Sequence, residues 1–176
     1  MKKIVTLFLA LLCTCGLAQA AESLTADVTR AVHRAAVKKD VVTTGKFTYH
    51  KGGNMAITFS PTDKLMMEGT TYTIVSGKRK SVASGPTAEL FGVMQRVVDD
   101  LLGGSDGVIA KSATTGGKVL YNGNTITIVP KDGVKANQLL FTSFVLTVDK
   151  QRHRLKSIKM NGKGKNYTLY TLSNYK

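Results

Sequence analysis

Most of this chain alternates apolar and polar residues with a period near two, and a single mid-chain segment breaks the alternation. Residues 86–104, PTAELFGVMQRVVDDLLGG, place Leu90, Phe91, Met94, Val97, Val98, Leu101 and Leu102 at steps of one, three and four. This is the spacing of a helix with a broad apolar stripe, and Glu89, Gln95, Arg96, Asp99 and Asp100 fall mainly opposite it. Pro86 suits the first turn, where its missing N–H has no intrahelical partner, and Gly103 can close the other end in a left-handed conformation. One helix among many strands lies either as a lid over a cavity or as half of a dry core.

The N-terminus carries Lys2 and Lys3, an apolar run over 4–12, and Ala18-Gln19-Ala20, the pattern of a secretory signal cleaved after Ala20. The run is shorter than the ~20 residues of a spanning helix. Leu12 and Thr14 precede Cys13 and Cys15, so neither cysteine sits in a usual lipidation site, although lipidation at one of them is the alternative. Both cysteines leave with residues 1–20, and disulfides, thiol catalysis and cysteine metal sites leave with them. Residues 21–176 then form one domain large enough to bury a core, in an exported, periplasmic protein expected to be a monomer.

Loss of Lys2 and Lys3 leaves a mature net charge of +12, concentrated late: from 133 to 176 the only acidic residue is Asp149. A basic, solvated sheet face explains such a set, and so does transient attraction to an anionic membrane surface or an acidic partner. Export and the lack of an RNA-binding aromatic signature argue against nucleic acid.

In chain order, 23–40 read as an amphipathic helix, with Leu24, Val28, Ala31, Val32 and Ala35 on one face and Ser23 as cap. Residues 41–59 read as a hairpin turning at KGGN, and three further short strands to 84 complete a meander of five. After the central helix, Gly116-Gly117 and Asn122-Gly123 signal turns around short strands. Three long antiparallel strands follow over 140–148, 154–160 and 166–173, with Leu155 and Ile158 out of phase by one, which predicts a bulge near Ser157.

Catalytic patterns are missing. His33, His50 and His153 have no metal-ligand spacing and read as surface residues, and TTGGKV lacks the rest of a phosphate loop and reads as a hairpin turn. Asp99 and Asp100 diverge by ~100° on a helix and read as a solvated helix end, not a catalytic pair. The expectation is a protein without enzymatic activity, cofactor or metal. Met55, Met66, Met67, Met94 and Met160 are a surplus of adaptable apolar side chains, which either fill a core or line a site for an acyl chain.

Taken in sequence, TGKFTY, a strand ending TFSP, MMEGTTYTI, PTAELFGVM, ITIVPK and the closing FVLTVDKQRHRLKSIKMNGKGKNYTLYTLSN resemble the periplasmic outer-membrane lipoprotein carriers of the LolA type. The resemblance spans nearly all of 21–176 and rests on the order of these segments. It implies an α+β, mainly antiparallel β fold, a strongly curved, unclosed half-barrel whose concave apolar face is covered by helices. It further implies a carrier of lipoprotein acyl chains, or of a related amphiphile, between donor and acceptor proteins at two membranes. The implied cavity and lid comprise Met55, Ile57, Phe59, Leu65, Met67, Tyr72, Ile74, Leu90, Phe91, Met94, Val97, Val98, Leu101, Phe144, Leu146 and Val148. Where the family often has a lid-holding arginine before the strand-ending proline, this chain has Ser60, and it ends soon after the closing strand. A lipid-sensing adaptor that signals to a protein partner is the alternative function.

Overall fold

A computed structural model describes residues 22–37, 39–110 and 114–176. The signal segment lies outside the described residues. Eleven strands form one antiparallel sheet in the order β6-β5-β4-β3-β2-β1-β11-β10-β9-β8-β7. They are β1 (Ser23–His33), β2 (Val41–His50), β3 (Asn54–Ser60), β4 (Asp63–Glu68), β5 (Thr71–Ser76), β6 (Arg79–Val82), β7 (Gly117–Asn122), β8 (Thr125–Pro130), β9 (Ser143–Asp149), β10 (Arg154–Asn161) and β11 (Tyr167–Ser173). The α1 helix, Gly85–Leu102, separates β6 from β7. The meander of five is β2 to β6, and the three long late strands are β9 to β11.

Residues 23–33 are a strand, not the expected first helix. Leu24, Val28, Ala31 and Val32 fit a helical stripe, but Ala26, Val28, Arg30 and Val32 also share one face of a strand. Tertiary pairing decides between the two periods. This segment is the central strand of the sheet and is paired along both edges, by β2 and by β11. Its threonines and valines suit that position.

The sheet is bent around α1. Tyr72 on β5 and Phe144 on β9 are seven strand positions apart, roughly 34 Å in a flat sheet. Both rings nevertheless pack on Phe91, with centroids at 5.5 and 5.1 Å. Only a strongly curved sheet brings them there, and since β6 and β7 remain edges the barrel is unclosed. The fold class is therefore the expected one: α+β, mainly antiparallel β, an open half-barrel with helical cover on its concave face. One α-helix among the described residues provides that cover, because the other expected helix is β1.

Two irregularities sharpen the bend. The register of β10 against β9 shifts between Leu155 and Ser157, at the bulge read from the sequence. A second shift lies in β3 between Thr58 and Ser60. Near it, a Cβ on Gly45 of β2 would stand 2.3 Å from the Thr58 carbonyl oxygen and 2.7 Å from the Phe59 ring, so the backbones approach as only glycine allows. Gly116 likewise leads into β7 without a hairpin; it passes so close to α1 that a Cβ would sit 2.7 Å from the Glu89 carbonyl oxygen. The expected turn at Asn122-Gly123 does join β7 to β8, with Gly123 at φ +55°.

Candidate functional site

The concave face has two parts, one filled by α1 and one open. Along the filled part the helix is buried almost all round: from Leu90 to Val98 only Arg96 is exposed. This exceeds the stripe expected from sequence, as it must for a helix enclosed by a curved sheet. Leu90, Phe91, Met94, Val97, Val98 and Leu101 pack there with Met55, Ile57, Leu65, Met67, Tyr72, Phe144, Leu146 and Val148, all in one buried cluster. Phe59 and Ile74 are partly buried against its margin. The sixteen residues expected around a cavity are thus brought together, and in this conformation they form a packed core with α1 as its centre.

Polar groups pin the helix at both ends. Gln95 is buried rather than solvated, and its amide donates to the Gly53 carbonyl at 2.8 Å. Asp99 accepts from the Tyr49 hydroxyl at 2.6 Å and from the Gly52 N–H at 3.1 Å. Burial and that carboxylate push the pKa of the Tyr49 phenol up. Asp100 accepts from the Gly107 N–H at 3.0 Å, and burial raises its pKa above the ordinary carboxylate value. The Asp99-Asp100 pair is therefore a structural anchor and not a solvated end. Gly103 closes the helix at φ −73°, donating to the Asp99 carbonyl at 2.8 Å, and the left-handed residue is Gly104. At the other end Thr87 accepts from the Leu140 N–H at 3.0 Å, and Lys131 pairs with Glu89 at 2.8 Å.

Beyond Thr87 the concave face is open. A groove of about 440 Å³ lies between the ends of β1, β10 and β11 and the segment before β9. Its apolar lining is Val32, Leu139, Leu140, Phe141 and Met160, with Gly162, Thr168 and Tyr167 beside them. Phe141 joins the two parts of the face, since its ring meets Phe91 edge-on at 5.9 Å and Phe144 at 5.7 Å. None of the sixteen expected residues lines this groove. Met160 stood out in the sequence only as one methionine among several. The expected strand over 140–148 begins only at Ser143, so Leu140 and Phe141, read as its start, belong with Leu139 to irregular chain that lines the groove.

Two residues along β1 from Val32, on the same face, Arg30 fixes a polar patch. Its guanidinium donates to both carboxylate oxygens of Asp63 at 2.8 and 2.6 Å and to the Thr43 hydroxyl at 3.0 Å, and lies 4.1 Å from the Phe59 ring centroid. Tyr170 packs on Phe59 at 6.2 Å between centroids, and burial pushes its pKa up to about 12. Ser60 does not reach α1; its hydroxyl stays in its own turn, accepting from the Thr62 N–H at 3.3 Å. Among the histidines, His33 pairs with Asp40 at 2.8 Å and His153 contacts the Ser105 carbonyl at 2.6 Å, while His50 is exposed. Among the described residues no group of three His, Cys, Asp or Glu is placed to hold a metal, and no helix is long and apolar enough to cross a membrane.

An open antiparallel sheet, curved around a helix that covers its concave face, is the architecture implied by the order of sequence segments. The fold is an open antiparallel half-barrel. No family model and no curated protein matches the chain. Among solved structures it is similar to a LolA superfamily protein from Nitrosomonas europaea, at 10% identity and a TM-score of 0.38, over 88% of this chain and 86% of that one. It is similar to a DUF1329 family protein from Desulfovibrio piger, at 11% identity and 0.41, over 90% and 87%. A domain assigned to outer membrane lipoprotein sorting from Vibrio parahaemolyticus gives 10% and 0.44, over 90% and 87%. At such identities and TM-scores no site residue or activity carries over, and function has to be argued from the groove.

Proposed function

We propose that this protein is an exported, non-enzymatic carrier that holds the acyl part of a lipoprotein, or of a related amphiphile, on its concave face and moves it across an aqueous space toward the outer membrane. The observation that supports this reading is the open apolar groove, which is continuous through Phe141 with the core around α1. Its volume lies in the range of small-molecule sites, roughly 300–1,000 Å³. A chain of ~14 methylenes gains about 11 kcal/mol on leaving water, so such a cargo does not cross an aqueous gap alone. The sixteen residues packed around α1 are, on this reading, a further cargo surface that the helix occupies at rest.

Lipid extraction and mass spectrometry of the mature protein, purified from the periplasm, tests the proposal. Co-purifying acylated species, displaceable by a fluorescent fatty acid, are expected. A protein that carries no amphiphile and binds none would refute it.

A further inference from the structure

We infer that the groove selects a single-chain amphiphile with an anionic head, a lysophospholipid ending in a phosphate monoester being its simplest form. This rests on the carrier reading and adds the class of the cargo. The volume, about 440 Å³, is near the lower end of the range for ligand sites, which suits one alkyl chain rather than several. Outward from the apolar floor the rim carries one sign of charge. Arg34 and Lys163 line the groove, and an adjoining depression of about 480 Å³, which meets it at Asn166 and Tyr167 around the end of the sheet, adds Lys165. Among the described residues, no acidic side chain lines either hollow.

These cations come from distant parts of the chain and are brought to one mouth. The Ala35 N–H donates to the Asn166 side-chain oxygen at 2.9 Å, tying the end of β1, with Arg34, to the β10–β11 turn that carries Lys163 and Lys165. The nearby carboxylate, Asp40, is already engaged by His33, whose ring stacks on Tyr167 at 4.7 Å between centroids. Lys159, which alternates with the groove-facing Met160, lies on the convex face of β10 with its ammonium 4.2 Å from the Tyr167 ring centroid, and stays outside the mouth. Arg34, Lys163 and Lys165 are exposed, so an anionic head can stay hydrated at the rim while its chain lies on Leu139, Leu140 and Phe141. A neutral head gains only the burial of the chain.

The test compares oleoyl lysophosphatidate with oleoyl glycerol, each below its critical micelle concentration, binding the mature protein at physiological salt. The anionic amphiphile should bind about tenfold more tightly, as two or three partly screened contacts to a charged head provide. The double variant K163Q/K165Q changes two exposed turn residues; it should melt like the parent, bind oleoyl glycerol equally, and lose most of the preference. Equal binding of both amphiphiles by the parent, or an undiminished preference in the variant, would overturn the assignment of the head while leaving the carrier reading intact. Failure of both amphiphiles to bind would remove both. Anionic vesicles provide the last arm: if the protein binds them but not monomeric lysophosphatidate, the rim is a membrane contact and the inference falls.

Discussion

The bidentate pair of Arg30 and Asp63 spans the concave face from β1 to β4, with β2 and β3 between, and its removal should measure how much polar cross-bracing the bend needs. The side chains are 17% and 31% exposed, so neither the surface nor the interior limit applies. Exposed pairs contribute about 0.2–1 kcal/mol, and breaking a fully buried pair costs about 3–5 kcal/mol. The guanidinium also bonds Thr43 and covers Phe59, while Asp63 can recover water once Arg30 is gone. Arg30→Met should therefore cost about 2 kcal/mol, or ~4–8 °C in melting temperature for a domain of this length. Asp63→Asn should cost less, because Arg30 keeps its other contacts. A double-mutant cycle read by urea unfolding should give a coupling energy of ~1–2 kcal/mol. A coupling below ~0.5 kcal/mol would mean that the pair behaves as a surface contact, and curvature would then rest on packing alone.

Gly45→Ala should destabilise the protein by roughly 1–3 kcal/mol in the same assay: a Cβ 2.3 Å from a backbone oxygen outweighs the ~0.4–1 kcal/mol gained by restricting the unfolded chain. A variant as stable as the parent would refute the close approach of β2 and β3. Because the pKa of Asp100 is raised in the fold, its ionisation opposes folding. That penalty is absent below the unfolded pKa and complete above the folded one. Asp100→Asn should thus gain in melting temperature relative to the parent as pH rises from acid through the carboxylate range to neutrality, and a difference constant with pH would contradict the assignment.

The strands from 41 to 84 and the three late ones were legible from their alternation, and the bulge near Ser157 because Leu155 and Ile158 break it. Residues 23–33 were not, since their apolar positions fit both periods and the pairing partners that decide between them lie in β2 and β11, the latter over a hundred residues away. The helical stripe was legible too, but not the burial of Gln95 and Gly92, which comes from the sheet bending round the far side of α1. The open groove escaped for a different reason: Leu140 and Phe141 were read into the strand that in fact begins at Ser143, Leu139 lies in irregular chain before it, and Arg34 and Lys163 meet only through the contact of two turns.

Whether α1 is a lid or a core element turns on a comparison of energies. Its Leu90, Phe91, Val93, Met94, Val97, Val98, Leu101 and Leu102 are almost wholly removed from water, and at ~1.5–3 kcal/mol each their burial contributes roughly 12–24 kcal/mol. One acyl chain of ~14 methylenes returns about 11 kcal/mol, so it cannot expel the helix and would occupy the open groove, whereas several chains acting together could displace it. Met94→Lys tests this balance. Met94 is fully buried among apolar side chains, so the ammonium would be unpaired in the core, at a cost comparable with the whole stability of the domain. Loss of cooperative thermal unfolding is the expected result, with Arg96→Lys, at an exposed position of the same helix, as a conservative control that melts cooperatively. If Met94→Lys instead melts cooperatively only a few degrees lower, the lysine has found water, and α1 is a mobile lid whose sixteen surrounding residues are open to a single chain.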